Sequence, residues 1–166
     1  DAGHERIAYV DIYHPAKVKE AHFSAFDRYE GYGSAMKEAD LKAVRLSPSK
    51  PIYPGKKAVD YFLKILSRQD RPTAMLTYWS HSMGAIYEAA NKMKLRIPQD
   101  LSIITFATES AIELGLNTTA MIEPEYEIGC AAVDLYMKKE EDGKKQPARV
   151  LDYKFYDMGT CVTPND

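Results

Sequence analysis

Apolar residues along this chain fall into two alternating rhythms. Short apolar runs over residues 6–12, 42–46, 73–78 and 101–106 have the length and composition of strands buried on both faces. Between them lie longer amphipathic stretches. Residues 17–41 carry Phe23, Phe26, Tyr29 and Met36 at helical spacing, residues 56–68 carry Val59, Phe62, Leu63 and Leu66 on one face, and a third helix is predicted over residues 82–94. Residues 47–55 contain Pro48, Pro51 and Pro54 and can only be a loop. Continuous apolar strands separated by helices predict βα units, a parallel sheet and right-handed crossovers. The expected fold is α/β: a three-layer αβα, doubly wound, mainly parallel sheet.

The last third of the chain changes rhythm. A short apolar run at 118–122 precedes a predicted helix over 124–142. Its ends are well marked: Pro124 near the start, Glu125 and Glu127 in the first turn, Lys138 and Lys139 late, and Gly143 just past the end. Its apolar stripe is Ile128, Ala132, Leu135 and Tyr136. Residues 149–156 then alternate like an edge strand.

Composition narrows the function classes. The 166 residues hold 22 Lys+Arg against 24 Asp+Glu, a formal net charge of −2, which argues against a basic nucleic-acid surface as the main feature. Hydrophobic residues make up 45%, enough for one proper core, and no apolar run approaches the ~18 residues of a membrane span. Cys130 and Cys161 have no zinc spacing, and the histidines His4, His14, His22 and His81 form no ligand pattern, so neither a metal nor a cofactor is expected.

One segment invites a catalytic reading. Trp79-Ser80-His81-Ser82-Met83-Gly84 follows a strand and opens a helix, as a hydrolase nucleophile elbow does. That arrangement needs a histidine later in the chain than its serine, and all four histidines precede Ser82. The plainer expectation is a strand–turn–helix with Ser82 as N-cap. Gly31-Tyr32-Gly33 lies inside a helix and lacks phosphate-loop spacing, and the mixed charges of residues 138–145 suit an exposed helix end. What remains is ligand binding at the carboxyl ends of the strands. Those ends carry Tyr13 and His14, the proline loop with Tyr53, then Tyr78, Trp79 and Ser80, then Ala107, Thr108 and Glu109. Such aromatics and short polar groups suit a small-molecule cleft.

Several segments resemble, in order, the effector domain of the LacI/GalR transcriptional regulators. Gly3-His4-Glu5-Arg6-Ile7-Ala8-Tyr9-Val10 is similar to the family's "GHRRIAYIG" opening. Arg28-Tyr29-Glu30-Gly31-Tyr32 resembles its "R-x-x-G-Y" helix, and Arg71-Pro72-Thr73-Ala74-Met75-Leu76 its "RPTAIF". Leu95-Arg96-Ile97-Pro98-Gln99-Asp100-Leu101-Ser102-Ile103-Ile104 resembles "GLRVPEDLSVVGF", and Ile122, Pro124, Glu127 and Gly129 echo "V-x-Q-P-x-x-x-x-G". The resemblance implies a type I periplasmic-binding-protein-like fold, with residues 1–122 as the C-terminal effector subdomain core. Residues 123–145 would be a helix that packs on an absent N-terminal subdomain, and residues 146–166 a returning strand and tail. The stripe on that helix would then be covered by another chain or stay exposed.

The resemblance further implies a non-enzymatic cytoplasmic sensor for a sugar-like effector, allosterically controlling a helix-turn-helix that lies outside this sequence. It would contact DNA only through that segment, and no membrane. Arg28 sits where the family's ligand-clamping arginine stands. Its planar fork suits two adjacent hydroxyls or a carboxylate. Where the family usually has Asn-Asp after the third strand, this chain has Trp79 and Ser80 in a turn one residue shorter. Where the family has an aspartate after the fourth strand, it has Ala107 and Thr108. An aromatic face thus replaces polar contacts, and an atypical ligand is expected. The expected effector residues are Arg28, Trp79, Ser80, Thr108, Tyr13 and Tyr53. A homodimer is expected through Met83, Tyr87, Ile112, Leu114 and Leu116. The alternatives are a periplasmic or secreted sugar-binding protein of the same fold, and a small α/β enzyme.

Overall fold

The computed structural model describes residues 3–11, 22–48 and 54–164. The chain runs β1 (Ile7–Val10), α1 (Phe23–Glu38), β2 (Val44–Leu46), α2 (Lys56–Leu66), β3 (Ala74–Thr77), α3 (Met83–Lys92), β4 (Ser102–Thr108), α4 (Glu109–Glu113), β5 (Ala120–Glu123), α5 (Glu125–Asp142) and β6 (Lys154–Tyr156), with a 3-10 turn at Ser80–Ser82. The six strands form one sheet in the order β2-β1-β3-β4-β5-β6. The first five are parallel, and β6 runs antiparallel on β5. The α/β doubly wound layout read from the hydrophobic pattern is the one observed.

Register and the two-residue alternation of strands sort the side chains between two faces. Val10, Met75 and Ile103 point toward α2 and α3, where they join Phe62, Leu66, Ile86 and Ala89 in the main core. Ala107, Ala120 and Ile122 lie farther along the same face, under α4. Tyr9 and its strand neighbour Leu76 point the other way and pack with Tyr32 and Met36 of α1. Helices therefore cover both faces, but unequally.

Two local features fix the ends of the chain. His4 is buried, and its Nε2–H donates to the Val162 carbonyl at 2.8 Å while Nδ1 faces the Thr73 hydroxyl at 3.0 Å. The carbonyl can only accept, so Nε2 carries a proton. Thr160 donates its hydroxyl to the Ile103 carbonyl at 2.7 Å, and its own carbonyl receives the Ile103 N–H. A polar clip thus ties the first residues and residues 160–162 to the amino edge of β4.

The structure departs from the sequence expectation in two places. Helix α4 follows β4 directly and was not expected; at five residues it is too short for a periodic signal. Ser82 does stand at the N-cap of α3, but its backbone is already helical and its side chain makes no capping bond, because the 3-10 turn before it supplies the bend. Helix α5 ends at Gly143 in the left-handed conformation, as its sequence signals indicate. Its buried residue is Ala131, while Ile128, Ala132 and Tyr136 of the expected stripe are exposed and Leu135 is half-buried. Among the described residues no helix is long and apolar enough to cross a membrane, and no group of three His, Cys, Asp or Glu could hold a metal.

Candidate functional site

The carboxyl edge of the sheet is where parallel βα units leave room for a ligand. On the α1 side of that edge, one residue organises everything around it. Arg28 lies in the second turn of α1, and its side chain is only 8% exposed. Nη1 donates to the Tyr78 carbonyl just past β3, and Nη2 to the Tyr153 hydroxyl just before β6, both at 2.8 Å. Glu123, the last residue of β5, holds its carboxylate 3.7 Å from the same Nη2. The guanidinium carbon lies 4.4 Å from the centre of the Phe106 ring, 5.0 Å from Tyr78, 5.3 Å from Trp79 and 5.7 Å from Tyr153.

Strand alternation explains the convergence. Ile104 is the register partner of Leu76, so Phe106, two residues on, shares the α1 side with Tyr78. Phe106 pairs with Met121 and Met121 with Phe155, which places Glu123 and Tyr153 on that side as well. Because β6 is antiparallel, its beginning meets the carboxyl ends of the others. Four strands thus each deliver one side chain to a single point.

The expected effector residues divide accordingly. Arg28 and Trp79 come together; the Trp79 ring also stacks at 20° on His81, 6.3 Å away. Ser80 is half-buried in the 3-10 turn, and Thr108 is half-buried with its hydroxyl 2.8 Å from that of Ser110. Ala107, which stands where the family carries an aspartate, is fully buried on the α4 side and cannot touch a ligand at this edge. Tyr13 and Tyr53 lie outside the described residues. Both terminal nitrogens of the Arg28 fork already have partners within the chain. Sequence reasoning missed Phe106, Glu123 and Tyr153. The signal for Glu123 was its place just before Pro124, at the end of the fifth apolar run. Tyr153 had no such marker.

Next to this cluster lies a second polar group. Arg45 Nε donates to Asp11 at 2.5 Å, the Ser47 hydroxyl donates to the same carboxylate oxygen at 2.7 Å, and the Arg45 guanidinium sits 4.0 Å over the Tyr29 ring. The Tyr9 hydroxyl is buried there, and burial, followed by the negative charge of Asp11, pushes its pKa well above the ordinary tyrosine value.

The residues expected at a subunit contact are spread between core and surface. Met83 is buried and belongs to the main core, so it is not a surface residue. Tyr87 is half-buried, and its hydroxyl donates to the Asn117 carbonyl at 3.1 Å. Ile112 and Leu116 are half-buried, whereas Leu114 is 89% exposed. An open groove of about 550 Å³ runs past Met83, Tyr87, Ile97 and Leu116 toward Thr160.

Residues 1–156 match the periplasmic binding protein-like domain family. Catabolite control protein A of Priestia megaterium is 28% identical over 150 residues, covering 84% of this chain and 42% of that protein. The chain therefore spans less than half the length of that relative. A LacI family transcriptional regulator from Bifidobacterium animalis superimposes with a TM-score of 0.78 at 22% identity, over 99% of this chain and 58% of that one. A LacI family transcriptional regulator from Enterococcus faecium, solved with bound ribose, gives a TM-score of 0.75 at 17% identity over 98% of this chain and 58% of that one. The chain belongs to the periplasmic binding protein-like domain family, and its resemblance to the effector-binding part of the LacI-family regulators holds in both sequence and fold.

Proposed function

We propose that this chain is the ligand-sensing part of a longer transcriptional regulator and that it binds a small, hydroxyl-rich effector at the Arg28 edge. The observation that carries this reading is Arg28 itself: a nearly buried guanidinium at the carboxyl edge, ringed by four aromatic faces. Aromatic faces suit the C–H faces of a sugar ring, and a planar donor fork suits two adjacent oxygens. Trp79 would stack on the ligand, with Ser80 and Thr108 at the rim; Tyr13 and Tyr53 remain effector residues on the sequence reading alone. The ribose in the Enterococcus faecium regulator supports this class of effector. Glu123 already offsets the charge of Arg28, which favours a neutral polyol over a sugar acid.

Control of DNA is the finer part of the proposal. The effector favours one of two arrangements of subdomains, and a DNA-reading segment elsewhere in the longer cytoplasmic protein responds. The exposed side of α5 packs on the companion subdomain. Two copies meet through the surface around Leu114, Ile112, Tyr87 and Leu116, with Met83 behind it. Isothermal titration of D-ribose and D-gluconate against the chain and its Arg28→Met variant tests the site. Ribose should bind more tightly than gluconate, and the variant should lose at least tenfold in affinity (about 1.4 kcal/mol). Equal affinities in both proteins would overturn the assignment. Charge reversal at Leu114 should weaken self-association, and unchanged sedimentation would remove that surface from the proposal.

A further inference from the structure

The two strands that frame α5 meet at one atom. Strand β5 ends at Glu123, whose carboxylate stands 3.7 Å from Arg28 Nη2, and Pro124 then caps α5. The chain returns from α5 through Tyr153, whose hydroxyl accepts from that same Nη2 at 2.8 Å. The next residue, Lys154, opens β6 and reaches Glu127 in the first turn of α5 at 2.5 Å and Glu109 in α4 at 3.2 Å. The outgoing strand, the incoming strand and the start of α5 are thus fastened around one arginine contributed by α1.

We propose that Tyr153 is an internal occupant of the Arg28 fork: an effector oxygen that takes Nη2 displaces the Tyr153 hydroxyl and so loosens the two strands that frame α5. The inference rests on the reading of Arg28 as an effector-binding residue. Nη1 is held by a backbone carbonyl that cannot swing away, so Nη2 is the exchangeable donor. Its present hydrogen-bond partner is the hydroxyl of a half-buried tyrosine, with the Glu123 carboxylate farther off. Nη2 carries two N–H donors, so a ligand with two adjacent oxygens can engage that one nitrogen twice where a single phenol now takes it once. The Tyr153 ring stays packed edge-on against Phe106 at 5.7 Å, which keeps the segment close enough to return when the effector leaves. Because α5 exposes Tyr126, Ile128, Val133, Tyr136 and Met137, any freedom given to its two anchoring strands changes how these side chains are presented.

The Tyr153→Phe variant of the 166-residue chain tests the inference, since it removes the hydroxyl and keeps the ring. Without ligand, amide hydrogen exchange should quicken several-fold over residues 120–128 and 150–156 and stay unchanged in α2 and α3. D-ribose, titrated by calorimetry, should bind the variant about tenfold more tightly than the parent chain, the internal competitor being gone. Ribose added to the parent chain should reproduce the exchange pattern of the variant. Unchanged exchange in the ligand-free variant would overturn the fastening. Equal or weaker ribose binding by the variant, with Arg28→Met still abolishing it, would overturn the competition and leave the effector site standing. If neither ribose nor gluconate binds either protein at millimolar concentration, the effector reading of Arg28 fails, and this inference fails with it.

Discussion

The two faces of the sheet are built on different principles. On the α2–α3 side, Ile86, Ala89, Leu101 and Ile103 are wholly buried within one apolar cluster. The α1 side covers less. Phe106 and Met121 are half-buried, Phe155 at the sheet's edge is 61% exposed, and the contacts that matter are directed ones around Arg28. A core of the first kind stabilises whatever the rest of the molecule does, because burying apolar area is additive and non-directional. An arrangement of the second kind depends on which groups are present. A partly exposed face with one fully engaged cation can be rearranged by a ligand; a close-packed core cannot.

That contrast is sharpest in what mutation should do to each side. Phe62 on α2 is 4% exposed in the main core. Phe62→Ala should cost roughly 3–5 kcal/mol by loss of burial and creation of a cavity. Urea denaturation should show the midpoint falling at constant slope, with ribose affinity unchanged at temperatures where the variant is folded. A loss of affinity in the folded variant would mean that the two faces are not independent. Arg28→Met should show the reverse balance. It leaves the Tyr78 carbonyl and the Glu123 carboxylate without their donor, which should cost about 1–3 kcal/mol, while abolishing effector binding. A stability loss as large as that of Phe62→Ala would make Arg28 a core residue and not a sensor.

The same contrast explains what could be read in advance. The α2–α3 side writes itself into the chain, since Val59, Phe62 and Leu66 repeat at helical spacing and Ile103 sits in a continuous apolar run. Parallel topology followed from those periods alone, and Arg28 was legible through the motif around it. Glu123 had only its place before Pro124 to mark it, and Tyr153 had nothing: one becomes a site residue only when β5 lies beside β4, the other only because β6 runs antiparallel and so begins at the carboxyl edge of the others. Nor could spacing show that the Arg28 fork would already be engaged, since its partners are 50 and 125 residues away.

A smaller effect concerns the ion cluster that fastens β6 to α5. The ammonium of Lys154 donates a hydrogen bond to Glu127 and holds that carboxyl below its ordinary range; Glu127, and then Glu109, raise the Lys154 pKa in turn. A lowered carboxyl contributes stability above its unfolded pKa and loses it as pH falls through the folded value. A raised lysine contributes fully below its unfolded pKa and loses that contribution as pH rises through the folded one. The cluster is therefore flat through neutrality. Glu127→Gln should differ from the parent by a constant amount between about pH 6 and 9, and the gap should close below about pH 4.3. A gap that persists into acid would mean that Glu127 acts by packing instead of charge.

The smallest effect is expected on α5, and it is the most discriminating. Tyr136 is 60% exposed on a helix whose buried residue is Ala131. In a self-contained domain an aromatic at such a place is an ordinary surface residue, and Tyr136→Ser changes stability within about 0.5 kcal/mol. That near-zero result is expected for the present chain by thermal unfolding. If the chain is part of the longer regulator proposed above, the same substitution there should lower the stability of the assembled protein, because the ring would be buried against the companion subdomain. The two measurements have to disagree. If Tyr136→Ser is silent in both, α5 has no partner, and the weakly covered side of this molecule is simply its surface.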